Sequence, residues 1–210
     1  MIREYFSNDI LTSLIIFSIL LIFVLKKINS QKFYENFSFN KKNLITKLSN
    51  NDYLSFRSIN VVCLLIFVIN TSILFTIFKN DKFNSQDFLK FATLLTLFIL
   101  LKLFLEKFIG WLFNFKKKCD NYLIIKFKYL GTIGLYILML NIVCIYSSGY
   151  NYELVYISLI ISLLCLIISY FTIFFSFKNI IYKNWFYFIL YLCTLEIIPY
   201  YYIISRFLKV

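Results

Sequence analysis

The sequence predicts an all-α, polytopic transmembrane helix bundle of about six spans, and three observations lead there. Six stretches of about twenty mostly apolar residues succeed one another, each long enough for a bilayer's hydrocarbon layer of roughly 30 Å. Hydrophobic residues make up 61% of the chain, more than a water-soluble core of this length can hide, so the excess must face lipid. With 4 Gly and 1 Pro there is no linker rich in Gly, Pro or Ser, and residues 1–210 read as one transmembrane domain. The spans are helical because an open sheet would leave backbone groups unpaired in hydrocarbon.

The first span is placed at residues 10–25. Glu4 and Asp9 lie before it and Lys26 and Lys27 come after, where a signal peptide would carry a small-residue cleavage site, so it is expected to stay as an anchor. The connection 26–58 is basic and also carries Phe33, Phe37, Leu44 and Leu48. That pattern suits either a short helix on an anionic leaflet or a solvated loop. The second span, 59–78, contains Asn60, Cys63, Asn70, Thr71 and Ser72. A mid-span Asn is expected to bond across to another helix.

The third span is placed at 88–113. At 100° per residue, Lys102 and Glu106 fall only about 40° apart, sharing an arc with Ala92, Thr96 and Gly110, while Leu97, Leu101, Phe104 and Phe108 lie opposite. One side is therefore expected to face protein and the other lipid. Lys102 and Glu106 could pair, partly offsetting a cost of about 2.5–3.5 kcal/mol per charge at a helix centre.

The fourth span, 129–146, has small or polar residues at Gly131, Gly134 and Asn141. The fifth, 154–177, carries Ser158, Ser162, Cys165, Ser169, Thr172 and Ser176, alternately four and three residues apart along one face. Helices in lipid associate through such small faces, so the stripe reads as a packing seam, with a polar lining for a solute as the alternative. The fourth and fifth helices are expected to be neighbours. The sixth span, 185–207, puts Glu196 near its midpoint with Pro199 after it. Pro199 cannot donate to Leu195 and frees a carbonyl close to the carboxylate. These features suggest a buried charge network of Lys102, Glu106, Lys107 and Glu196 beside Pro199, with Glu196 facing Lys102.

Charge sets the expected orientation. The connections 26–58, 114–128 and 178–184 hold most of the Lys and Arg, whereas Glu4, Asp9, Asp81, Asp87 and Glu153 lie on the other side. The positive-inside rule then puts both termini outside and the long first loop in the cytoplasm, in a cell inner membrane. The net charge of +12 is explained by this bias, so no nucleic-acid partner is expected. Many of the 17 Tyr sit toward span ends, as interfacial anchors.

The 5 Cys are scattered without a Cys-x-x-Cys pair and there is no His, so neither a metal site nor a cofactor is expected. Ser–His pairs and paired Asp motifs are missing as well, which argues against an enzyme.

Two strings, LEKFIG at 105–110 and FYFILYLCTLEIIPY at 186–200, resemble a Bacteroidota family of integral inner-membrane proteins of unknown function, domain of unknown function 4271. The resemblance implies a multi-helix membrane protein, marks Glu106, Lys107, Gly110, Glu196 and Pro199 as recurring positions, and supplies no catalytic residue. With so little chain outside the spans, the first expectation is a non-catalytic subunit or assembly factor of a cell-envelope complex. Its partners would be the lipid bilayer and another envelope membrane protein. The alternative is a small transporter or proton-coupled carrier built on the Glu/Lys network.

Overall fold

The computed structural model describes residues 6–28, 52–79, 83–112, 116–146 and 152–176. These form five α-helices: α1 (Phe6–Ile28), α2 (Asp52–Lys79), α3 (Ser85–Leu112), α4 (Lys116–Tyr146) and α5 (Tyr152–Ser176). The described residues contain no strand, and all five helices are long and apolar enough to cross a membrane. The sixth span, 185–207, and the connection 29–51 lie outside the described residues. The chain divides into compact units at 1–169 and 170–210, and the helix packing is that of the first.

Four helices correspond to the expected spans: α1 and α2 begin one to two turns earlier, and α3 and α5 agree to within three residues at each end. The fourth required a larger correction. Placed at 129–146, it begins at Lys116, because Cys119 to Lys128 continue the helix and bury one face. Lys126 and Lys128, assigned to a cytoplasmic connection, are instead 5% and 7% exposed inside it.

The start of α3 is written in its first residues. Asn84 caps the helix, its Oδ1 accepting from the Gln86 amide at 3.0 Å and its carbonyl from Phe88 at the same distance. Phe83, just before the cap, packs on Phe88, four positions into the helix, with ring centroids 5.9 Å apart. This is a hydrophobic staple, and it fixes the angle at which the chain enters α3.

α2 is the central helix: 67% of its most apolar stretch is buried, against 17–22% for α1, α3 and α5. α1 lays Leu11, Ile15, Ser18 and Leu25 against it and turns Phe17, Leu20 and Phe23 outward. Leu11 packs with Ile73 and Ile77, and Leu25 with Ile59 and Cys63, so α1 and α2 run antiparallel. α4 runs parallel to α2, with Phe67 and Leu74 against Leu130, Ile133 and Ile137.

The closest approach lies between α2 and α4. A Cβ on Gly134 would stand 2.9 Å from Phe67 Cα and N, and one on Gly131 would stand 2.7 Å from Cys63 Sγ. Further along, Asn141 Nδ2 donates to Asn70 O at 2.9 Å. The Asn70 amide bonds Ile66 O of its own helix at 2.8 Å, so the cross-helix donor is Asn141 rather than the expected Asn70. Gly131, Gly134 and Asn141 meet α2, while Cys165 and Leu166 of the fifth helix rest on the cluster that holds Leu130, Ile133 and Ile137. Glycine removes the side chains that would keep two backbones apart, and α2 supplies the backbone that fills the space.

Candidate functional site

The inward arc of α3 carries Lys102 and Glu106. Glu106 is 2% and Lys102 6% exposed, while Leu97 and Phe104 on the opposite side are 66% and 69% exposed. The expected two-faced helix is therefore present. Glu106 lies six residues before the end of α3, or about 9 Å along the axis at 1.5 Å per residue.

The carboxylate Oε1 accepts from Lys126 Nζ of α4 in a short, buried ion pair. The same ammonium lies over the Tyr122 ring, 5.5 Å from its centroid. Tyr122 precedes Lys126 by one helical turn, so α4 holds the lysine from below while α3 holds it from the side. Cys119 closes the contact from the end of α4, its Sγ donating to Glu106 O at 3.2 Å. Gly110 makes room for it, since a Cβ there would stand 2.8 Å from Cys119 Cβ.

An open groove lies beside this brace, with a volume of about 450 Å³, between α2, α3 and α4. Asn60, Lys107 and Asp120 are its polar lining, and Leu100, Leu103, Phe104 and Phe127 are among its apolar walls.

Lys102 and Glu106 share the buried arc, and Lys107, the next residue, points out into the groove. Glu196 and Pro199 lie outside the described residues. The sequence missed Lys126, Tyr122 and Cys119, because charge-counting placed their segment in a loop. The available signal was the run LIIKFKYL, apolar apart from two lysines and directly continuous with the fourth span.

In α5, Ser158, Ser162 and Ser169 are buried and Cys165 is half-buried, as a packing seam requires. Each serine hydroxyl donates to the carbonyl three residues before it, at 2.7–2.8 Å. Hydroxyls satisfied within their own helix present a small, nearly apolar surface, which suits packing. Cys165 and Leu166 rest on the cluster formed by Phe67, Leu74 and Leu130. Thr172 and Ser176 belong to the second unit.

Chemically, a carboxylate paired with an ammonium and shielded from water is a cross-brace, and one that holds α3 to α4. Cys63, Cys119, Cys144 and Cys165 are thiols outside any disulfide. Among the described residues no three His, Cys, Asp or Glu side chains come together.

No curated protein and no solved structure matches the chain. A family model does match, over residues 10–207, which takes in every described helix from Ile10 onward and both strings noted in the sequence. The chain belongs to the family described as Domain of unknown function (DUF4271).

Proposed function

We propose that this chain is a multi-pass protein of the cell inner membrane, acting as a non-catalytic subunit or assembly factor of a cell-envelope complex. The carrying observation is that its most conspicuous polar group, Glu106, is consumed in bracing α3 against α4. A moving charge would need a second place to go, whereas this one is fixed by Lys126, Tyr122 and the close approach of Gly110 to Cys119. Outside the braced core, α1, α3 and α5 offer long exposed apolar stripes, which suit lipid and the helices of a membrane partner.

One observation favours a carrier instead: Lys102, Lys126 and Lys128 are all buried, and Glu106 is the single buried acid among the described residues. Two measurements separate the readings. Affinity purification in mild detergent, with cross-linking before lysis, is expected to recover the same envelope protein at fixed stoichiometry in independent preparations. Reconstitution of the chain alone into liposomes is expected to give no proton flux. Flux that is abolished by Glu106→Gln, from a protein that purifies alone, would overturn the subunit reading in favour of the carrier.

A further inference from the structure

The groove beside the Glu106–Lys126 brace has the two-part character of an amphiphile. Its charged residues are Lys107, exposed near the end of α3, and Asp120, half-buried in the second turn of α4. Both line the same groove where α3 and α4 touch, Lys107 one turn before Gly110 and Asp120 next to Cys119. Among the described residues neither is engaged in an ion pair with the other. Deeper along the same helices the wall is Leu103, Phe104 and Phe127, and it is open to the outside at Phe104, which is 69% exposed. Depth is set by the chain. Lys107 and Asp120 are each about one turn from their helix ends, whereas Phe127 lies roughly 10 Å further along α4 at 1.5 Å per residue.

A cation and an anion lining one groove, above an apolar trough, match a headgroup carrying both charges. From this complementarity we infer that the groove seats a phospholipid with an ethanolamine headgroup: Lys107 takes the phosphate, Asp120 takes the ammonium, and an acyl chain lies along Leu103, Phe104 and Phe127. A lysine on a long stem can reach a phosphate while its methylenes stay against apolar wall. Asp120 supplies the selectivity. It accepts hydrogen bonds from a primary ammonium, finds no N–H donor on a quaternary choline, and repels a glycerol headgroup whose net charge is negative.

The inference rests on the membrane reading above, and one experiment tests the two separately. The chain is extracted from isolated membranes, placed in nanodiscs of equimolar phosphatidylethanolamine, phosphatidylcholine and phosphatidylglycerol with identical acyl chains, and the retained lipid is measured by native mass spectrometry. Phosphatidylethanolamine is expected in excess over the other two by about fivefold, the scale of one partly exposed ion pair. Asp120→Asn is expected to remove that excess, Asp120→Lys to turn the preference toward phosphatidylglycerol, and Lys107→Gln to lower retention of all three. Because Lys107 is exposed and Asp120 only half-buried at the groove, each variant is expected to keep the wild-type melting profile. Equal retention of the three lipids by the wild type, or a preference that survives both Asp120 variants, would overturn the lipid seat and leave the membrane reading standing. Recovery of the chain in the soluble fraction would overturn both.

Discussion

A buried ion pair rarely repays its own desolvation in full, so the informative quantity is the stability lost when one partner is removed. Glu106 and Lys126 are 2% and 5% exposed, and the carboxylate lies beside Lys102 on its own helix face. Glu106→Gln strands a buried ammonium, and the expected loss is about 3–5 kcal/mol of stability. Replacing both partners, Glu106→Leu with Lys126→Met, removes the two desolvation costs together and is expected to recover more than half of that loss. Unfolding by SDS titration from mild detergent micelles measures both. A double variant less stable than Glu106→Gln would show that the carboxylate's main work is not the brace to α4. If the brace is also the reason the residue exists, the double variant keeps its binding partner. If the carboxylate carries a proton, no apolar pair can replace it.

At the scale of the helix, packing depends on where a side chain is missing. Gly134 is the position with no slack: its opposing atoms are the backbone of Phe67, which cannot rotate away. Gly134→Ala is expected to push α2 and α4 apart and cost about 1–3 kcal/mol, the range for overpacking a close contact. Gly131→Ala meets the Cys63 side chain instead, so adding Cys63→Gly is expected to relieve it, whereas adding Phe67→Ala to Gly134→Ala leaves the opposing backbone in place and relieves nothing. Thermal unfolding of the two single and two double variants in one detergent checks the contrast, and equal rescue at both positions would refute it.

The same helices mark how far the sequence could be read. The two faces of α3 were legible because a 100° step alone sorts Lys102, Glu106 and Gly110 from Leu97, Leu101 and Phe104. The partner across the gap was not. Periodicity gives a direction around one axis and says nothing of which helix stands there, so Gly131 and Gly134 did not by themselves point to α2. Lys126 and Lys128 were hidden for a different reason, since a rule that counts basic residues in loops also draws the loop around them. A lysine paired with Glu106 no longer carries the cost that normally expels it from a span.

For the molecule as a whole, that correction bears on orientation. Lys126 and Lys128 leave the cytoplasmic connection, and Lys116, Lys117 and Lys118 remain at the junction of α3 and α4. In residues 26–58 Arg57 likewise falls within α2, while Lys26, Lys27, Lys32, Lys41, Lys42 and Lys47 stay within reach of the first two spans. The expected orientation therefore has less support from the middle of the chain and relies chiefly on this first connection. Alternation then puts residue 38 in the cytoplasm and residue 148, between α4 and α5, outside. In a chain whose five cysteines are replaced, Ser148→Cys is expected to react with a membrane-impermeant maleimide on intact cells, and Ser38→Cys only after the membrane is opened. The reverse pattern would invert the protein and move the Lys107–Asp120 groove to the outer leaflet. Labelling of both sites on intact cells would mean that the crossings between them are even in number, so that one of α2, α3 and α4 does not span, breaking the alternation on which the six-span reading depends.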